Sequence, residues 1–278
     1  MKVKEKIRWL GTACFTVLGM IYIAPILVVL INSFKQKMFI NLEPFQMPDK
    51  DSWNGFANYG TAIQEYGLLK AVGWTVFITV GSVLVILVCT SMCAWYITRV
   101  KGVFSSSIYL LCVLSMVVPF QMVMFTLALI ADRLRLNTPW GIIIIYLGFG
   151  AGLAVFMFCG FVKSIPIEIE EASTIDGCNP LQTFFIIVLP IMKPTYISVG
   201  ILETMWIWND FLLPYLVLDI NKYKTISIVI QYMKGSYGRV DMGAIMASLI
   251  MAVIPVIVFY LTCQKYIIKG VATGAVKG

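Results

Sequence analysis

SIPIEIEEASTIDGCNPLQTFFIIVLPIMKP, residues Ser164–Pro194, is the acid-bearing amphipathic stretch of an otherwise apolar chain, and its reading decides the fold. Ser164 suits a helix cap and Pro166 a first turn, with Glu168, Glu170 and Glu171 near the positive end of the helix dipole. Gly177 offers a stop, because a left-handed backbone costs glycine nothing. A helix over Pro166–Asp176 is about 16 Å long, far short of the ~30 Å hydrocarbon core of a bilayer. Asn179-Pro180 predicts a second cap and first turn, with Leu181, Phe184, Phe185 and Val188 at helical spacing behind it. Two short helices joined at a glycine, with apolar runs on either side, predict a knob held at a membrane surface.

Those flanking runs set the class. The 278 residues are 60% hydrophobic and only 13% charged, against about 25% in soluble domains. Mean hydropathy is +0.89. Apolar runs at about 9–34, 72–97, 107–130, 140–162, 195–218 and 242–263 are each long enough to span. The expectation is an all-α membrane protein, one domain over 1–278, with six transmembrane helices and a short helical segment at 164–194 between the fourth and fifth. Pro25 and Asn32 kink or end the first run. In the third, Pro119 and Gln121 mark either a flexible, cavity-facing stretch or a simple kink. Gly148, Gly150, Gly152 and Gly160 in the fourth let helix backbones approach closely.

An even number of spans places both ends, the segment 164–194 and the tail 264–278 on one side. Lys2, Lys4, Lys6, Arg8 and the short Arg99–Lys101 link assign that side to the cytoplasm. The raw count does not orient the chain, since 11 of the 21 Lys+Arg fall on that side and 10 on the other. The basic residues are dispersed rather than striped, which argues against nucleic-acid binding. Seven cysteines and no histidine leave a metal site poorly supported and remove the commonest acid–base catalyst. No Gly-x4-Gly-Lys-Ser/Thr phosphate loop occurs, so nucleotide energy would have to come from another chain.

The spacing Glu171-Ala172-Ser173, three residues, Gly177, nine residues, Ile187, one residue, Leu189-Pro190 resembles the EAA loop of permease subunits of bacterial binding-protein-dependent ABC importers. It departs once, with Ser173 where the family usually has a second alanine. The plain reading beside it is an ordinary amphipathic interfacial helix. Trp208-Asn209-Asp210-Phe211-Leu212-Leu213-Pro214 resembles the WN(D/E)F-x-x-P signature of carbohydrate permeases. The ending Gly274-Ala275-Val276-Lys277-Gly278 resembles that of the smaller permease subunit of maltose-type importers, and Phe56-x-Asn58-Tyr59 is a weaker echo.

The resemblance implies a multi-pass subunit of the bacterial inner membrane with both termini cytoplasmic, and not an enzyme. Its implied partners are a second homologous permease, two ATPase subunits carrying ATP and Mg, and an extracellular or periplasmic sugar-binding protein. Glu171, Ala172, Ser173, Asp176 and Gly177 would couple to the ATPase, Ile169, Ala172 and Ile175 giving the apolar face. Gly274, Lys277 and Gly278 would reach the ATPase from the tail. Glu203, Trp206, Trp208 and Asn209 are candidates for the sugar path. Glu203 has a second reading as a carboxylate neutralised by protonation or bonded to the partner permease. Two other functions stand beside these. One is an ion-coupled secondary transporter using Glu203 and Asp210. The other is an intramembrane enzyme, which lacks a recognisable nucleophile or carboxylate pair.

Overall fold

In a computed structural model, residues 2–235 and 240–275 are described, with side chains over 9–235 and 240–266. Among them there is no strand, only an isolated antiparallel bridge between Lys35 and Trp53. The helices in order are α1 (Lys2–Ser33), α2 (Lys37–Leu42), α3 (Ala57–Gln64), α4 (Leu68–Arg99), α5 (Val103–Val117), α6 (Phe120–Arg133) and α7 (Pro139–Val162). After these come α8 (Ile167–Ile175), α9 (Pro180–Ile191), α10 (Lys193–Asn209), α11 (Leu212–Val217), α12 (Ile226–Met233) and α13 (Met242–Ala275).

Four stretches are unbroken and apolar enough to cross a membrane: Trp9–Ser33, Leu68–Arg99, Pro139–Val162 and Met242–Tyr266. The other two predicted spans differ from expectation. The run 107–130 is not one helix, because α5 and α6 meet at 107° across Val118-Pro119. Proline disfavours a helical residue before it and has no N–H to donate, so a sharp break replaces a kink. The run 195–218 is also divided, into α10 and α11, with Asp210 extended between them. α10 in turn meets α9 at 78°. Counting each bent pair as one span gives six.

The chain forms two compact units. The first comprises Met1–Leu69 and Val229–Pro255. Here the loop after α1 is organised by Asn58, whose Nδ2 donates to the carbonyls of Ser33 and Lys35 at 2.8 Å each. Its Oδ1 accepts from Asn54 at 2.9 Å. A Cβ at Gly243 would collide with this amide, so the start of α13 packs here only as glycine. Lys35 is 1% exposed and donates to the Glu43 carbonyl at 2.7 Å. Further along, the Ser52 hydroxyl and backbone N–H both donate to Asp49 Oδ1 and hold that carboxyl below its ordinary value. α1 runs through Pro25 and ends at Ser33, one residue past Asn32, whose Nδ2 donates to the carbonyls of Val28 and Pro44 there.

The second unit comprises Lys70–Ile228 and Val256–Gly278. Its core includes Ile86, Tyr146, Phe158, Phe184 and Val199, drawn from α4, α7, α9 and α10. α7 starts where Thr138 Oγ1 accepts from Gly141 N–H, with Pro139 in the first turn. Of its five glycines, Gly141 packs on the Leu136 backbone of the preceding loop, and Gly150 and Gly152 carry the close approach to other helices. A Cβ at Gly152 would lie 2.7 Å from the Cys112 carbonyl and Ser115 Oγ of α5, and one at Gly150 would lie 2.7 Å from Ile86 Cδ1. Gly148 and Gly160 have open space instead.

Candidate functional site

The segment 164–194 folds as two helices about a left-handed glycine. α8 ends at Ile175, and Gly177 follows with φ +86° and no atom within 4 Å of where its Cβ would be. Ser164 does not cap α8. Its hydroxyl bonds back to the Phe161 carbonyl, and Pro166 stands just before the helix in extended backbone. Asn179 does cap: its Oδ1 accepts from Gln182 N–H while Gln182 Oε1 accepts from Asn179 N–H, both at 2.9 Å. Over Thr183–Val188 the chain widens into a π-helical turn, which brings Thr183, Phe184 and Val188 inward and leaves Leu181 and Phe185 exposed.

What fixes this knob is Glu170. Its Oε1 accepts from Arg99 Nη2 at 2.6 Å and Nε at 2.9 Å. Its Oε2 accepts from Trp95 Nε1 at 2.9 Å. Arg99 Nη2 also donates to the Ile165 carbonyl at 2.9 Å. Trp95 and Arg99 are one turn apart at the end of α4, so the last turn of that span clamps one carboxylate of α8. The sequence reading gave Arg99 to topology and Glu170 to the helix dipole. The signal it missed was the i, i+4 pairing of an indole with a guanidinium.

The predicted coupling residues divide by burial. Ser173 is buried, its hydroxyl donating to the Glu170 carbonyl at 2.7 Å and sharing a 3.0 Å hydrogen bond with Thr183. Glu171, Ala172 and Asp176 are exposed, and so are Ile169 and Ile175, the last at 86%. The anticipated apolar face exists and is bare. Gly274 falls within α13, which continues through the predicted tail as far as Ala275; Lys277 and Gly278 lie outside the described residues.

The four path candidates do not converge. Glu203 is 2% exposed, and its Oε2 has no hydrogen-bond partner. That oxygen would lie 3.0 Å from a Cβ at Gly150, beside Ile86. Trp206 packs edge-on against Tyr146 with ring centroids 5.6 Å apart and stays partly exposed. Trp208 is half-buried, and Asn209 turns its amide back to the Met205 carbonyl at 2.7 Å. Asp210 is taken up by the fold. Tyr146 donates to its Oδ2 at 2.9 Å, and its Oδ1 accepts from Leu212 N–H at 3.0 Å, starting α11.

Unbroken and bent apolar spans around a clamped helix pair are the architecture of a multi-pass membrane protein. The structure matches the crystal structure of a bacterial ABC transporter that imports alginate, with a TM-score of 0.78 over 96% of this chain and 98% of that one; at 18% identity the likeness is of fold. Residues 86–273 match the binding-protein-dependent transport system inner membrane components. The chain belongs to that family, whose members are ABC transporter permease subunits and not enzymes. It is 36% identical over 271 residues to the probable starch degradation products transport system permease AmyC of Thermoanaerobacterium thermosulfurigenes, covering 97% of each. It is 32% identical over 286 residues to the multiple sugar-binding transport system permease MsmG of Streptococcus mutans, covering 100% of each.

Proposed function

We propose that this chain is one permease subunit of an ATP-driven, binding-protein-dependent importer of sugars or oligosaccharides. It forms half of the translocation path beside a second homologous permease. The relatives named for starch products and multiple sugars support the substrate class. The observation that carries the coupling reading is the contrast within α8. Its inner side is locked to α4 by the Arg99–Glu170 pair, while Ala172 and Ile175 lie on its solvent-exposed side. A rigid, bare, partly apolar knob transmits a push only if a second body seats on it.

That body would be a cytoplasmic ATPase pair holding ATP and Mg, with Glu171 and Asp176 offering charge to its basic groups. Gly274, Lys277 and Gly278 would add a contact from the tail, and both termini would be cytoplasmic. A sugar-binding protein would deliver substrate from outside. Trp206 and Asn209 present surface for sugar rings and hydroxyls, and Trp208 adds a half-buried ring; Glu203 is occluded and is read as a packing residue. A secondary-transport site at Glu203 and Asp210 finds no support, since Asp210 is already held by Tyr146 and the backbone.

The test is affinity purification of the tagged chain from its own host, with uptake measured in proteoliposomes. The reading expects a P-loop ATPase to co-purify and uptake to need internal ATP. Uptake by the chain without a nucleotide-hydrolysing companion, or uptake abolished by a protonophore at full ATP, would falsify it.

A further inference from the structure

A groove of about 460 Å³ lies within the second unit, starting at Lys193, where the segment 164–194 ends, and running along α10 to Thr204. Three helical stripes line it. α10 contributes Lys193, Tyr196, Gly200 and Thr204 along one face, α4 contributes Leu87, and α13 contributes Cys263 and Tyr266. Its lining is mixed in chemistry. Lys193, Tyr196 and Tyr266 bring polar groups to the lining, and Lys265, beside the lining rather than in it, holds its Nζ 4.9 Å above the Tyr266 ring. Apart from the Thr204 hydroxyl and the Cys263 thiol the rest is hydrocarbon, and no acidic side chain lines it.

We propose that this groove binds one anionic phospholipid, with an acyl chain along α10 and the phosphate between Lys193 and Lys265. Length fits, because Lys193 and Thr204 are eleven residues apart, about 16 Å along a helix. One leaflet of a ~30 Å hydrocarbon core is about that deep. Charge fits as well, since two lysines with neighbouring tyrosines at the membrane interface attract an anionic headgroup. Gly200 supplies the room. A Cβ there would meet Leu87 Cδ1 at 3.5 Å, an ordinary contact, so alanine is tolerated while a larger side chain fills the channel. The proposal rests on the chain being embedded in a membrane and not on which ATPase or sugar it serves.

Native mass spectrometry of the assembled transporter tests this, after detergent stripping and titration with phosphatidylglycerol or phosphatidylcholine of matched chains. The expected result is one phosphatidylglycerol bound per copy in preference to phosphatidylcholine. Lys193→Gln with Lys265→Gln should weaken that preference by about fivefold per lysine. Gly200→Phe should displace both lipids, and Gly200→Ala should keep them and report a folded chain. Lys222→Gln, whose partner Asp219 lies outside the groove, should change nothing. An unchanged preference in the double lysine variant would overturn the proposal. So would displacement of the lipid by chain-free glycerophosphoglycerol, which would mean a free-phosphate site. Protection of Cys263 from a thiol reagent in the fully stripped complex would overturn it too, because a neighbouring subunit would then cover the groove.

Discussion

Arg99 at the last turn of α4 holds Glu170 of α8 through two of its nitrogens, both on one carboxylate oxygen, at 2.6 and 2.9 Å. The pair is mostly out of solvent, with side-chain exposures of 18% and 10%. If α8 couples as proposed, a displacement of it would reach α4 through this charged hydrogen bond as well as through packing of Trp95 on Phe184. Removing one partner leaves the other charge half-buried, at a cost of about 1–3 kcal/mol once partial solvation is allowed for. Arg99→Gln and Glu170→Gln should each insert normally but lose most ATP-dependent uptake. The exchange variant Arg99→Glu with Glu170→Arg should recover part of it, measured as uptake per inserted subunit. Recovery no better than either single variant would mean that the pair does not transmit.

Gly177 separates fold from coupling more cleanly. Its left-handed backbone costs a non-glycine residue about 1 kcal/mol, and no neighbour stands within 4 Å to add a clash. Asparagine, which tolerates that conformation, should support near-normal uptake. Gly177→Asp should leave insertion intact and abolish transport, because the new carboxylate would face only the docked partner. Thermal stability of the two variants should match within a few degrees while uptake diverges. If both transport equally well, nothing docks at that turn.

Ile175 makes the same separation by hydrophobicity. At 86% exposed it has almost no packing to lose, so Ile175→Asp should alter stability by no more than about 0.5 kcal/mol. Ala172→Asp adds charge to the same exposed face. Both should uncouple ATPase activity from uptake in reconstituted transporter, with the uncoupling read as hydrolysis unaffected by binding protein.

Much of this was legible in the chain. The apolar runs, the glycine stop and the Asn179 cap are local signals, and local chemistry determined them. The breaks at Val118-Pro119 and at Asp210 were less legible, because a proline or aspartate inside an apolar run fits both a kink and a full turn until neighbouring helices choose. Ser173 stands where the resembling family usually has alanine, and its hydroxyl meets Thr183 because a π-helical turn rotates Thr183 inward. Glu170 was one of three similar glutamates until Trp95 and Arg99 came to it from far along the sequence. Contacts of that range leave no periodic trace.

Asp49 gives a pH test on the loop after α1. Hydrogen bonds from the Ser52 hydroxyl and then its N–H lower the carboxyl below the ordinary 3.8. The charged form is the bonded one, so its stabilisation is complete above 3.8 and is lost as pH falls through the lowered folded value. Exchange of the Ser52 amide should be protected from pH 5 to 8 and released only in stronger acid. Asp49→Asn should lose part of that protection at pH 7 and little more on acidification.

Glu203 and Gly150 should prove to be one packing unit rather than a sugar contact. The carboxylate has no room to spare, since a methyl group at Gly150 would sit 3.0 Å from Oε2 and 2.7 Å from Ile86 Cδ1. Gly150→Ala gains about 1 kcal/mol of helix propensity, offset by about 1–3 kcal/mol as the ends of the Ile86 and Glu203 side chains give way, so the net change lies between about zero and 2 kcal/mol destabilising. Glu203→Ala removes the 3.0 Å contact on one side of that methyl and leaves the Ile86 contact on the other. The double variant should then be more stable than the sum of the two single changes by about 1 kcal/mol or more, as residues in contact couple. Glu203→Gln keeps the shape and should leave uptake kinetics unchanged. A Glu203→Gln variant that folds normally but has a raised KM for sugar would return Glu203 to the path.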